Sequence, residues 1–163
     1  MIVELEKIRM SLDTSILTLS FLPMTDSLWR TWGANIVDPR GRCVADTADQ
    51  RALGITIYIC DGLPLAAAIQ ALAHESAHAF RYQHALFGGD SAFVEQGCNY
   101  AAYRVLSSLG GRCAKLLRSA ISSRTIGRWT GMEITQVEAF VKEHRRHGLD
   151  KWIELFSKAD QWP

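Results

Sequence analysis

Long apolar runs are missing from this 163-residue chain. Leu63 to Ala73 passes eleven residues without a charge or a glycine, whereas a bilayer-spanning helix needs about twenty apolar residues. No membrane partner is expected. An excess of one charge sign is missing too. Eighteen Lys and Arg meet seventeen Asp and Glu, for a net charge of +1, so no global field favours nucleic acid or an anionic surface. Cysteine is sparse and unclustered: Cys43, Cys60, Cys98 and Cys113 stand 17, 38 and 15 positions apart. That spacing excludes zinc ribbons and a small disulfide framework and points to a reducing, cytoplasmic setting. All four read as small buried hydrophobes. The opening Met1-Ile2-Val3-Glu4-Leu5-Glu6-Lys7 has early acids and no apolar stretch ending in small residues, so it does not read as a signal peptide. Repeats, low-complexity tracts and Pro/Ser-rich linkers are absent, and residues 1–163 are expected to form one domain.

What the chain does contain is an ordinary globular composition, 48% apolar and 21% charged. A chain of this length buries about 68–70% of its unfolded surface and needs no crosslink or metal to fold. The first third reads as β-rich. Ile16 to Leu22 is a strand-like run stopped by Pro23, and Thr25 or Asp26 can cap a short helix that Gly33 ends near Trp32. Asp38-Pro39-Arg40-Gly41 has type I turn chemistry and can join two extended segments. Ile55 to Cys60, dense in β-branched residues, is the clearest strand. Periodicity then turns helical: Leu65 to about His84 behind Pro64, Asp90 or Ser91 to about Leu109, and Cys113 to Ser122, with Thr135–His147 and Asp150–Lys158 further on. Strands first and helices later imply an α+β fold.

The informative segment is His74-Glu75-Ser76-Ala77-His78. Residues i and i+4 of a helix share one face about 5–6 Å apart. Two imidazoles so placed can both reach one Zn2+ at about 2.0–2.1 Å. Glu75, one position round, can take a proton from a water on the metal without being a ligand, which is the arrangement of a metallopeptidase. A catalytic site needs a third protein ligand. His84 has the offset used in three-histidine peptidases, but that class breaks the helix at a glycine three residues after the second histidine, where this chain has Arg81. Glu95 is the preferred donor, because Gly88-Gly89 lets the next helix return antiparallel. Gly97 inside that helix costs about 1 kcal/mol against Ala and suggests close approach of the first helix. Asn99, one turn after Glu95, can orient a ligand.

Three islands, Asp61-Gly62-Leu63-Pro64, Ala73 to Phe80 and Val94-Glu95-Gln96-Gly97-Cys98, resemble the peptidase domain of the plant LIM-domain peptidases that limit organ size. The likeness extends to Arg40-Gly41-Arg42-Cys43 and to the ending from His147-Gly148-Leu149 through Gln161-Trp162-Pro163. It implies a minimal gluzincin, with a small N-terminal antiparallel sheet packed on the active-site helix and a glutamate-bearing helix after it. Zinc falls on His74, His78 and Glu95 and the general base on Glu75. The family's link to ubiquitin makes ubiquitin or ubiquitinated proteins candidate partners. The chain departs from the family in lacking clustered LIM cysteines and an acidic ubiquitin-interacting helix, and in carrying Gln96 for the second acid of Glu-Glu-Gly.

The expected activity is zinc-dependent endoproteolysis of protein or peptide substrates. His147, where the family carries Tyr before Gly-Leu, is the first choice for an oxyanion donor, and Tyr103, two turns beyond Glu95, is the second. The strand Ile55–Cys60, if an edge, could pair with an extended substrate. The basic run Lys142 to His147 reads as a solvated helix end. Two other functions fit the residues: a non-catalytic zinc-containing binding module, and a regulatory peptidase dedicated to one partner protein.

Overall fold

The computed structural model describes residues 1–31, 40–49, 51–86, 91–123 and 142. The short helix α1 (Ile2–Lys7) leads through a 3-10 turn (Thr14–Ile16) into strand β1 (Leu17–Leu22) and helix α2 (Ser27–Thr31). Strands β2 (Gly41–Ala48) and β3 (Arg51–Cys60) follow, then helices α3 (Leu65–Gln83), α4 (Ser91–Leu109) and α5 (Gly111–Ser123). The α+β class stands. The expected helices over 135–147 and 150–158, with His147, fall outside the described residues, except for helical, exposed Lys142.

Local chemistry accounts for most boundaries. Asp26 caps α2 by accepting from the Leu28 amide at 2.9 Å. Gly62, at φ 80°, makes the turn between β3 and α3 that an L side chain would strain. At the other end of α3, His84 is the C-cap and Ala85 turns left-handed at φ 58°. The Ala85 amide donates to the Tyr82 carbonyl at 3.1 Å and the Leu86 amide to that of Arg81 at 3.0 Å, which closes a Schellman turn. Asp13 and Gln83 clasp each other: the Asp13 amide donates to Gln83 Oε1 at 3.0 Å, and Gln83 Nε2 returns a bond to the Asp13 carbonyl at 2.6 Å.

The three strands form one sheet in the order β1-β3-β2, with β1 parallel and β2 antiparallel to β3. The expected antiparallel sheet is therefore corrected to a mixed one. Strand β1 reaches its partner through α2 and β2, a connection long enough for a parallel pairing, and no local pattern in β1 encodes that direction. β3 is also longer than Ile55–Cys60 and central. Both of its backbone edges are occupied, so it cannot offer one to a substrate. A register shift opposite Asp46 and Thr47 leaves Leu53 unpaired and marks a bulge in β3, facing β2, the antiparallel edge among the described residues.

Helix α3 lies between two apolar clusters. Ala71 and Ala79 pack with Cys43, Ile55, Ile57 and Ile59 on the sheet side. Ala73, Ala77 and Phe80 pack with Val94, Cys98, Tyr100, Ala101, Val105 and Leu106, joined by Leu5, Ile8 and Met10. A helix covered on both sides must be apolar nearly all round, and alanine lets both neighbours come close. Polar residues in such a helix need partners; Gln70, Glu75, Ser76 and Arg81 are buried in α3, and His74 and His78 are partly buried beside them. Among the described residues no helix is long and apolar enough to cross a membrane.

Candidate metal centre

The α3–α4 seam brings the expected residues together. His74 Nε2 lies 3.1 Å from Glu95 Oε2, and His78 Nε2 lies 3.3 Å from Glu95 Oε1. The two rings stand edge to face with centroids 5.1 Å apart, the i,i+4 spacing of one helix face. His74 Nδ1 donates to Asn99 Oδ1 at 3.1 Å, so its Nε2 is the nitrogen turned toward Glu95. His78 meets the early part of α4 and His74 the later part, so the two helices run antiparallel. The linking residues 87–90, with Gly88-Gly89, lie outside the described residues.

Electrostatics favour the contacts within the trio. Burial alone pushes His74 down, but the hydrogen bond to Glu95 and the charges of Glu75 and Glu95 outweigh it and leave the imidazole above its ordinary value. Burial likewise pushes Glu95 up, and the hydrogen bonds from His74 and His78 outweigh that and hold it well below the carboxylate range. Glu95 is thus an anion facing two imidazoles, with its side chain 46% exposed. The separations also suit a metal. Ligands about 2.0 Å from a tetrahedral ion stand roughly 3.3 Å apart, close to the 3.1 and 3.3 Å found here.

A fourth donor, read from sequence only as a buried hydrophobe, sits beside them. Ligand atoms of His74, His78 and Cys98 all lie within 4.8 Å of one another, which makes a possible metal-binding cluster. Cys98 follows Glu95 by three positions on α4 and is fully buried. Burial, then the charges of Glu95 and Glu75, push its thiol well up, so it stays protonated. Glu95 is the better third donor: it is ionised and touches Nε2 of both rings. The one sequence signal for Cys98 was its helical spacing from Glu95.

Glu75 takes the other side of α3. It lies on the stripe Ala71-Glu75-Ala79 that faces the sheet, and it is 8% exposed. Its side chain rests against the backbone of Gly41 at the start of β2. Cys43, two residues on, has its thiol pushed up by burial and then by the charge of Glu75. His84 is elsewhere: α3 runs unbroken past Arg81, and the His84 ring lies tilted against Phe80 with centroids 4.4 Å apart. It lines a cavity of about 400 Å3 with Ser11, Leu12, Asp13, Ile16 and Gln83. Tyr103 packs against the helical cluster with Leu12, Ile69 and Leu117.

Compared with known proteins, the chain matches no family model, no curated protein and no solved structure.

Proposed function

We propose that the protein is a zinc-dependent endopeptidase of the gluzincin type, related to the LIM-domain peptidases it resembles and working in the reducing cytoplasm on protein or peptide substrates. One observation carries this reading: a glutamate from α4 reaches Nε2 of both histidines of a His-Glu-x-x-His helix. His74, His78 and Glu95 would hold the metal, and Asn99 would fix the His74 ring through Nδ1. When bound, zinc supplies Lewis acidity, polarising a carbonyl and lowering the pKa of water to about 7. Glu75 takes the proton from the attacking water and delivers it to the leaving amine. Strand β2 is the sheet edge that touches Glu75 and can pair with an extended peptide. His147 or Tyr103 would donate to the developing oxyanion. Ubiquitin or ubiquitinated proteins enter as partners through the family resemblance.

Metal analysis and cleavage assays on the same variants test the proposal. His78→Ala and Glu95→Ala are expected to lose zinc, while His84→Ala keeps it. Glu75→Gln should keep zinc at one per chain and lose about 100- to 10,000-fold in cleavage rate, the usual worth of a general base. Zinc lost with His84→Ala and kept with Glu95→Ala would end this reading.

The Cys98 thiol favours a second one. Structural zinc sites are closed by four protein donors, whereas catalytic sites keep one position open. If His74, His78, Glu95 and Cys98 all ligate, the protein is a zinc-containing binding module. Cys98→Ala decides between them: retained zinc and cleavage support the peptidase, and lost zinc in a wild type that cleaves nothing supports the module.

A further inference from the structure

We propose that Gly41 is a positioning residue for Glu75, its missing side chain being what leaves room for the Glu75 side chain to lie against the start of β2; this rests on the peptidase reading above. Gly41 opens β2, pairs with Ile59 of β3, and does not have a left-handed backbone. The demand for glycine is therefore one of space. A Cβ at this position would lie 2.8 Å from Glu75 Cγ, 3.3 Å from Glu75 Oε1 and 3.3 Å from Ile59 Cδ1. Real Cβ atoms essentially never approach to 2.8 Å, and the atom in the way is the stem of the carboxylate.

The strand cannot retreat easily. The Cys60 amide donates to the Arg40 carbonyl at 3.0 Å, and the Arg40 guanidinium reaches Gln70 Oε1, one turn before His74, at 3.4 Å. Gly41 is thus pinned to β3 on one side and to α3 on the other. Behind Glu75, Ala71 and Ala79 hold α3 against the sheet. A methyl group at residue 41 would be relieved by rotation of the Glu75 side chain, since the backbones on both sides are fixed. His74, His78 and Glu95 meet on the α4 side of the helix, and their contacts with one another do not involve residue 41 or the Glu75 side chain. Gly54, in β3 of the same sheet, is the natural control, because a Cβ there would meet only Asp46 Oδ2 at 3.8 Å.

Crystal structures and peptide-cleavage kinetics of zinc-loaded wild type, Gly41→Ala, Gly54→Ala and Gly41→Ala/Ile59→Val test the inference. The double variant removes Ile59 Cδ1 and leaves only the crowding of Glu75. Both Gly41 variants should keep one zinc per chain and show the Glu75 carboxylate displaced. A misplacement of about 1 Å costs about 100-fold in rate, so kcat should fall by that order with KM nearly unchanged. Gly54→Ala should match wild type. An undisplaced carboxylate, or wild-type kcat in the double variant, overturns the proposal. So does failure of both Gly41 variants to fold, which would make the glycine a requirement of the sheet. A wild type that cleaves no peptide, while Glu75 still moves in Gly41→Ala, sinks the peptidase reading and leaves the Gly41–Glu75 contact standing.

Discussion

The two sides of α3 are built from the same small residues but carry different chemistry. Toward α4, the apolar layer of Ala73, Ala77, Val94 and Cys98 borders the imidazole pair and the Glu95 carboxylate. Toward the sheet, Ala71, Ala79 and the three buried isoleucines of β3 surround a single carboxylate, Glu75. Donors that must converge come from two helices held in register by a deep core. The Glu75 side chain is set against a strand backbone. In the peptidase proposed above, one helix would thus carry both the metal donors and a base that does not compete with them.

The comparison can be broken at its apolar layers first. Leu106→Ala and Ile57→Ala each empty a fully buried site and should cost about 2–5 kcal/mol in denaturant unfolding. Their effects on metal should diverge, with Leu106→Ala weakening zinc affinity through α4 and Ile57→Ala leaving it close to wild type. Equal losses of affinity would mean that the two sides are not separable. A smaller effect is expected at the outer partner of His74. Asn99→Ala removes the acceptor from Nδ1 and should lower zinc affinity about 10- to 100-fold with little loss of stability.

The smallest effect concerns pH in the metal-free protein. The His74 pKa is raised, so its contribution is complete below the ordinary imidazole value of 6.5 and is lost as pH rises through the higher folded value. The Glu95 pKa is lowered, so its contribution is present above the ordinary carboxylate value of 4.5 and is lost as pH falls through the lower folded one. The Tm advantage of wild type over Glu95→Gln should therefore be widest between those two values and should narrow as pH rises through the folded His74 value. Glu95 is nearly half exposed and partly screened, so a gap of about 2–4 °C, equivalent to about 1 kcal/mol, is expected. A gap that grows with pH would contradict the pairing.

Much of the helical half was legible because its signals are local. Pro64, the periodic run behind it and the absence of a break at Arg81 set α3 to within a residue. Ser91 and Gly110 did the same for α4. The two histidines and Glu95 followed from helix geometry once an antiparallel return was assumed. The sheet was less legible, because strand direction depends on partners far away in sequence. Leu17 pairs with Ile55 and Gly41 with Ile59, and nothing within either segment states this. Helix α1 was missed because six residues are too few for a periodic signal, although Leu5 is fully buried. The Gly41–Glu75 contact and the nearness of Cys98 to the imidazoles are products of packing across elements.

The clasp between Asp13 and Gln83 couples the chain's opening segment to the helix that carries both histidines. Gln83 is five positions beyond His78 at the end of the same continuous helix, and its amide grips the backbone that leads into β1. A tether, a cut or a bound partner acting on the first dozen residues would thus act on the same helix that carries the two rings. That gives a remote handle on the centre without any contact at the centre itself.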